Sequence, residues 1–216
     1  NRAQLEDSLA KDMPSVVINY YVDDLDVSCI AIDNAGGAEN AVNYLIELGH
    51  KKIAHISGDL NTQAAAKRLE GYKRALQKNS IAIRQDYIFE TDYSRGAARS
   101  AAEKLIKAVD PATAVFVASD AMALEVMAVA RELGKHIPND LSIVGFDDNP
   151  SGLYGPVGLT TVRQPLIRMA EESVKELNRL IGLSKKVTKK ILLPAELVIR
   201  ESCKPFVAGQ ALFYNQ

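Results

Sequence analysis

Helical and extended patterns of apolar residues alternate along most of the chain. Between residues 36 and 49 the apolar side chains recur three or four positions apart, the spacing of one helix face, and Gly49 marks the helix end. The short apolar run 53–57 then predicts a strand, and the alternation continues as far as the run 141–147. Alternating strands and helices indicate βαβ units, so we predict an α/β fold whose parallel sheet is covered by helices on both faces.

The predicted elements are short strands and longer helices. The strands are the runs 15–19, 28–32, 53–57, 87–90, 114–119, 141–147, 189–193 and 195–202. The helices are 2–12, 36–49, 61–79, 94–108, 120–134 and 165–182. The last ten residues, 207–216, show no clear pattern.

One predicted helix has an unusual surface. Between residues 121 and 133 only Glu125, Arg131 and Glu132 are polar, so this helix is apolar almost all round. A helix that covers one side of a sheet normally keeps a polar outer face. Two interpretations are open: the helix is buried in the core, or its second face meets another subunit. We favour the second interpretation.

Polar side chains follow the predicted strands, where ligands bind in open parallel sheets. These residues are Asn19, Asp33, Asn34, Tyr93, Ser119, Asp147 and Gln164, with Arg68 shortly after the strand 53–57. Together they supply a carboxylate, a guanidinium, amides, a hydroxyl and an aromatic ring. That set suits a neutral polyol such as a sugar, because hydroxyl groups both donate and accept and an aromatic ring packs on a pyranose face.

The run IVGFDDN, residues 143–149, raises a question about burial. A strand of apolar residues ends at Asp147 and Asp148, although burying an isolated carboxylate is costly. If strand geometry continues, the two side chains point to opposite sides. We predict that Asp147 faces a hydrated ligand site, whereas Asp148 stabilises the loop.

Each of the other candidates has a structural alternative. Ser119 or Asp120 could cap the following helix, Tyr93 could be a packed core residue, and Arg68 could be a surface arginine of its helix. These alternatives stay open at the level of sequence.

Composition and motifs exclude several classes of function. The 216 residues carry a net charge of −1, which gives no overall attraction to nucleic acid, and no run of 18 apolar residues predicts a membrane span. Cys29 and Cys203 are isolated, as in a reducing cytosol, and the three histidines have no metal-ligand spacing. No nucleophile elbow, phosphate loop or dinucleotide motif occurs. We therefore expect no catalytic residues, no metal and no cofactor, and a protein that is not an enzyme. The N-terminus lacks a signal-peptide layout and starts within a predicted helix, so we expect a fragment of a longer protein.

Six stretches, in order and at family-like spacing, carry a resemblance to a known family. They are AIDNAGGAENAVNYLIELGHKKIAHISG, AAAKRLEGYKRAL, ASDAMALEVM, IPNDLSIVGFDD, LTTVRQP and LLPAELVIRES. Over residues 13–203 the chain resembles the effector-binding core of LacI/GalR-type transcription regulators. LTTVRQP and the terminal LVIRES favour the regulators over periplasmic sugar-binding relatives.

The resemblance implies a periplasmic-binding-protein-like type I fold, with effector in a cleft between two doubly wound parallel-sheet subdomains. The N-terminal subdomain would comprise residues 1–33 and 165–193 and be incomplete, and the C-terminal one 34–164 and 194–203, followed by a tail, 204–216. The family's helix-turn-helix headpiece has no counterpart in this chain. The implied function is sensing of a small molecule by a cytoplasmic homodimer that controls operator DNA through its headpiece. The alternative is a periplasmic sugar-binding protein of a transporter.

The resemblance also assigns residues. Effector-contacting positions fall on Asn19, Ala64, Arg68, Tyr93, Ser119, Asp147 and Gln164, and the dimer interface on Met122, Glu125, Val126 and Val129. Asn19 stands where Asp is usual in the family, and Ala64 where a hydroxyl is frequent. A purine effector, which some members bind, is therefore an alternative to a sugar.

Overall fold

A computed structural model gives the fold of the protein. The described residues are 6–7, 9–11, 13–22, 24–153, 155, 157–182 and 187–207. The chain divides into two compact units. The first unit is Asn1–Asn34 with Gln164–Glu196, and the second unit is Ala35–Arg163 with Leu197–Gln216. Asn34, Gln164 and residues 194–196 thus lie in the first unit, whereas the sequence assigned them to the second.

The elements follow the predicted alternation, with slightly shorter strands. The strands are β1 Val16–Ile18, β2 Ser28–Ile32, β3 Ile53–Ile56, β4 Ile88–Phe89, β5 Ala114–Val117, β6 Ser142–Asp147, β7 Thr160–Arg163, β8 Lys190–Leu193 and β9 Glu196–Val198. The helices are α1 Asn34–Glu47, α2 Gln63–Lys78, α3 Arg95–Ile106, α4 Asp120–Glu132 and α5 Leu166–Ile181. Of the predicted helix 2–12, residues 6, 7, 9 and 10 are helical, and residues 2–5, 8 and 12 lie outside the described residues.

The first unit contains a three-stranded sheet in the order β1-β2-β8, with parallel pairing throughout. Helix α5 packs on β1 and β2. Its Glu176 is buried and accepts a hydrogen bond of 2.6 Å from the Ser28 hydroxyl, so a polar contact ties the helix to the sheet. Val22, Val27 and Cys29 form a small buried apolar cluster in this unit.

The second unit contains a six-stranded sheet in the order β4-β3-β5-β6-β7-β9. Neighbouring strands from β4 to β7 pair in parallel. Ala54 and Ile56 of β3 join the core formed with α3 and α4, whereas His55 between them stacks on Tyr72 of α2. Helices therefore cover both faces, and the predicted fold class is confirmed. Within the described residues, no helix combines the length and apolar character that crossing a membrane requires.

Helix α4 owes its apolar surface to packing inside the second unit. Met122, Val126 and Val129 are buried in the core cluster, and α3 packs along α4. The Glu125 side chain, 16% exposed, pairs with Arg95 at 2.7 Å. The favoured interpretation, an apolar face left for a second subunit, is corrected here: of the four predicted interface residues, three have no surface to offer. Homodimerisation itself stays a prediction.

Candidate functional site

Polar and aromatic side chains of the second unit gather beyond the carboxyl ends of its strands. Gly58 follows β3, Tyr93 follows β4, Ser119 follows β5, and Asp147 ends β6. Arg68 reaches the same edge from the second turn of α2. Parallel pairing of the strands brings these four strand ends to one edge of the sheet.

Arg68 is the centre of this group. It is 5% exposed, and its Nη1 donates a 2.5 Å hydrogen bond to the Ala118 carbonyl. Its guanidinium lies 3.7 Å above the centre of the Phe146 ring, and its Nη1 lies 3.7 Å from Asp147 Oδ1. Burial lowers the pKa of Arg68, while Asp147 opposes that shift. The interpretation of Arg68 as a surface arginine is therefore wrong: the side chain is a buried, positioned cation.

Asp147 presents a partly open carboxylate beside that cation. Its side chain is 34% exposed, and its backbone φ is +124°, in the region that residues other than glycine rarely adopt. A carboxylate in this position keeps acceptor capacity for an incoming hydroxyl group. The Arg68–Asp147 pair thus combines a donor and an acceptor at one place.

Asp148 has a different environment from its neighbour. Its carboxylate accepts from Arg163 Nε at 2.7 Å and from Arg200 Nη2 at 2.6 Å. Burial acts to raise the pKa of Asp148, but the hydrogen bonds and charges of Arg200 and Arg163 outweigh it and hold the pKa below its usual value. The expected loop-stabilising role of Asp148 agrees with these contacts. Strand geometry does not continue, however, since Asp148 has a φ of +56°.

Tyr93 packs its ring directly on Gly58. A Cβ atom at position 58 would lie 1.9 Å from Tyr93 Cζ, so only glycine permits this contact. Tyr93 has a φ of +65°, and its amide donates to the Thr91 hydroxyl at 3.3 Å. That hydroxyl in turn donates to the Ser57 carbonyl at 2.6 Å, so hydrogen bonds hold the backbone that carries the half-buried ring.

Ser119 and Ala64 hold structural positions in this region. The Ser119 hydroxyl accepts a 3.3 Å hydrogen bond from the Met122 amide and caps α4, as its structural alternative stated. Ala64 lies half-buried in the first turn of α2, one residue before Ala65, whose amide is capped by Thr62. A ligand contact by Ser119 or Ala64 stays a prediction.

The two remaining predicted residues belong to the first unit. Asn19 follows β1, is exposed, has a φ of +59°, and donates its amide to the Ile30 carbonyl at 2.8 Å. Gln164 is half-buried, and its carbonyl accepts from the Leu166 amide at 2.8 Å. Their effector contacts also stay predictions.

The sequence reasoning missed the importance of Asp120. This residue is fully buried, and burial raises the pKa of its carboxyl to about 6, with further contributions from Asp147 and Asp148. Gly145 is the feature of the sequence that could have indicated a group close to this strand, because an isolated glycine inside a strand marks a close approach by another group. Among the described residues, no group of three potential metal-binding side chains occurs.

Residues 42–203 match the family model of the periplasmic binding protein-like domain. The chain belongs to this family. Within it, curated relatives include the HTH-type transcriptional regulator DegA of Bacillus subtilis, 33% identical over 201 residues that cover 93% of this chain and 59% of DegA. The HTH-type transcriptional repressor CytR of Escherichia coli is 35% identical over 88% of this chain and 56% of its own length. The chain thus spans little more than half the length of these relatives.

Solved structures of the family agree with the fold. A LacI family transcriptional regulator from Enterococcus faecium with bound ribose has a TM-score of 0.87 and 27% identity, covering 96% of this chain and 76% of its own. The complex of the transcriptional regulator CelR with cellobiose has a TM-score of 0.80 and 28% identity, covering 93% and 69%. The resemblance seen in the sequence is confirmed: this chain is an effector-binding domain of the LacI-family type.

Proposed function

We propose that the domain senses a small sugar, and that Arg68 and Asp147 contact it. The observation that carries the proposal is the ion pair of these side chains, 3.7 Å apart at the carboxyl ends of the strands, with the guanidinium buried and the carboxylate partly open. Relatives of the same fold that hold ribose or cellobiose support the same class of ligand.

The chemistry of the pair favours a neutral ligand with several hydroxyl groups. A guanidinium donates and a carboxylate accepts, so adjacent hydroxyls can satisfy both at once. The pair has no net charge, and the Asp120 carboxyl nearby adds no positive charge, so the group has no excess positive charge to attract an anionic ligand. The Tyr93 ring adds an apolar surface for a sugar face.

The role of the whole protein is part of the same proposal. Effector binding would shift the population of conformations in a cytoplasmic homodimer and so change its affinity for operator DNA, bound through a headpiece outside residues 1–216. The regulator names of the relatives support this role. We propose no catalytic step, and no cofactor or metal.

The test is a titration of the protein with ribose, cellobiose, other mono- and disaccharides, and purine bases, followed by calorimetry and thermal unfolding. A sugar at a hundred times its dissociation constant should stabilise the folded state by about 2.7 kcal/mol. Asp147→Ala should weaken that sugar at least about tenfold, since hydrogen bonds to charged groups contribute about 1.5–3 kcal/mol.

The matched control is Glu103→Ala, which removes an exposed carboxylate of α3 paired with Lys107 at 3.1 Å. It should bind the sugar as the unchanged protein does. Binding of purines alone would replace the ligand class while leaving the sensor role. A folded protein that binds none of these compounds would contradict the proposal.

A further inference from the structure

Asp120, the first residue of α4, is fully buried with both carboxylate oxygens engaged. Oδ1 accepts a 2.5 Å hydrogen bond from the Thr161 hydroxyl of β7. Oδ2 accepts a 2.7 Å hydrogen bond from the Asn149 amide, two residues after Asp147. One carboxylate therefore joins a helix start, a strand and the loop that follows β6.

The sheet makes room for this carboxylate. A Cβ atom at position 145 would lie 2.3 Å from Asp120 Oδ1, far inside contact distance. Gly145 is therefore the residue that lets Asp120 approach the backbone of β6. Gly145 lies on the same strand that delivers Asp147.

The loop needs such an anchor because its backbone is strained. Asp147 and Asp148 have φ values of +124° and +56°, conformations that persist in non-glycine residues only where the surroundings hold them. The Thr161 hydroxyl, which donates to Asp120, also lies 3.4 Å from the Asp148 amide and accepts from it. Two successive loop amides are thus held, one directly by Asp120 and one through Thr161.

We propose that Asp120 is the positioning residue of the effector site: through Asn149 and Thr161 it holds the strained turn that aims the Asp147 carboxylate at the ligand. This inference rests on the proposed function, in that it assumes a ligand contact by Asp147. Asp120 itself acts from beneath the turn and touches no ligand.

The charge state of Asp120 gives the proposal a measurable signature. Burial raises the pKa of this carboxyl to about 6, the hydrogen bonds of Thr161 and Asn149 oppose the shift, and the carboxylates of Asp147 and Asp148 add to it. The Arg68 guanidinium also interacts electrostatically with Asp120. The hydrogen bonds from Thr161 and Asn149 favour the charged carboxylate, so protonation below pH 6 weakens the hold on the turn and sugar affinity falls, although burial favours the protonated form relative to the unfolded chain.

The experiment compares the unchanged protein with Thr161→Val, Thr161→Ser and Asp120→Asn. The first readout needs no ligand: hydrogen exchange of the Asp148 and Asn149 amides, measured by NMR. Thr161→Val, which keeps the shape and loses the hydroxyl, should exchange at least about tenfold faster at these amides, and Thr161→Ser should restore slow exchange.

The second readout is the dissociation constant for ribose or cellobiose between pH 5 and 7. Thr161→Val should raise it about tenfold at pH 7. In the unchanged protein the dissociation constant should rise about tenfold when the pH is lowered to 5. In Asp120→Asn this rise should vanish, because position 120 no longer titrates.

The outcomes separate the two proposals. If the unchanged protein binds no sugar, the proposed function fails, and amide exchange alone decides whether Asp120 and Thr161 hold the turn. If sugar binds, but Thr161→Val leaves both exchange and affinity unchanged, the positioning role is overturned. A pH profile that Asp120→Asn does not alter would also overturn it.

Discussion

The two units differ in how much of their apolar surface they cover. In the second unit, a six-stranded sheet has helices on both faces, and large side chains such as Tyr72, Phe116 and Phe146 are fully buried. Among the described residues of the first unit, three strands carry one long helix, and many large apolar side chains are exposed. These are Met13, Ile18, Tyr20, Leu166, Ile167, Val174, Ile181, Val187 and Leu192.

The difference shows that residue type alone does not determine how much an apolar side chain contributes to stability. An apolar side chain stabilises the folded state through the area that it removes from water, so the same kind of residue has different effects in the two units. The second unit can therefore hold a strained turn and a buried ion pair, because a large closed core supports them. The first unit should open at a lower free energy.

The sharpest test of this comparison pairs two apolar truncations. Phe116→Ala, in the second unit, should destabilise it by about 3–5 kcal/mol, because the ring is fully buried and packs on His55 with ring centres 4.9 Å apart. Leu192→Ala, in the first unit, should change stability by about 0.5 kcal/mol or less, since Leu192 is 52% exposed. Urea unfolding followed by residue-level hydrogen exchange measures both. Equal effects would contradict the contrast between the units.

The second test uses two buried titratable groups of the second unit, whose effects on stability have opposite signs. The pKa of Asp120 is raised from 3.8 to about 6. Its contribution to the free energy of unfolding is therefore fully present below pH 3.8 and is lost as pH rises through 6. The pKa of His55 is lowered from 6.5 to about 4, by burial above all. Its contribution is present above pH 6.5 and is lost as pH falls through 4. Each amounts to about 3 kcal/mol, and between pH 4 and 6 they largely cancel.

Substitutions should expose each contribution separately. In Asp120→Asn, the free energy of unfolding should rise with pH from 4 to 6.5, because the lowered pKa of His55, together with that of His50, is then no longer offset by the raised pKa of Asp120. In His55→Asn, the same free energy should fall as pH rises from 4 to 6. Urea unfolding at several pH values measures both slopes. Two variants with the same slope as the unchanged protein would contradict the assignment.

His55 also illustrates what the sequence could and could not predict. The alternation of elements was predictable because apolar spacing encodes it, and β2 falls on the predicted residues 28–32. The apolar run 53–57 marked His55 only as one residue of a strand. Its burial between Tyr72 and Phe116, with Nε2 lacking a hydrogen-bond partner among the described residues, depends on contacts across the sheet.

The candidate site, too, could be predicted only in part. The location of Asp147 and Arg68 at strand ends follows from topology, which the alternation and the family resemblance predicted. The burial of Arg68 over Phe146 and the engagement of Asp120 by Thr161 join residues far apart in sequence, so no local pattern reports them. The prediction that α4 leaves an apolar face for a second subunit was wrong for a related reason. This face is covered by α3, a neighbour that spacing alone does not identify.

A third test compares a buried ion pair of the second unit with an exposed one. Asp148→Asn should destabilise the protein by about 1–3 kcal/mol, because Arg200, 2.6 Å away and mostly buried, loses its charged acceptor. Glu70→Gln, which removes the exposed partner of Lys67 at 2.8 Å, should cost about 1 kcal/mol or less. The midpoints of urea unfolding, measured at 0.1 and 1 M salt, check both values. If the exposed pair proves as important as the buried one, burial does not explain the role of Asp148.

The smallest expected effect concerns the outer face of α5. Ile167 and Val174 are exposed seven residues apart, on one face of the helix. Ile167→Gln and Val174→Gln should each change the free energy of unfolding by about 0.5 kcal/mol or less, because neither removes buried area. Both should reduce the binding of a hydrophobic dye, since the exposed apolar surface shrinks. The control is Glu171→Gln on the same helix, which should change neither quantity. A loss of stability well above this value would mean that these side chains are packed in solution, and the contrast between the units would then be smaller than the structure indicates.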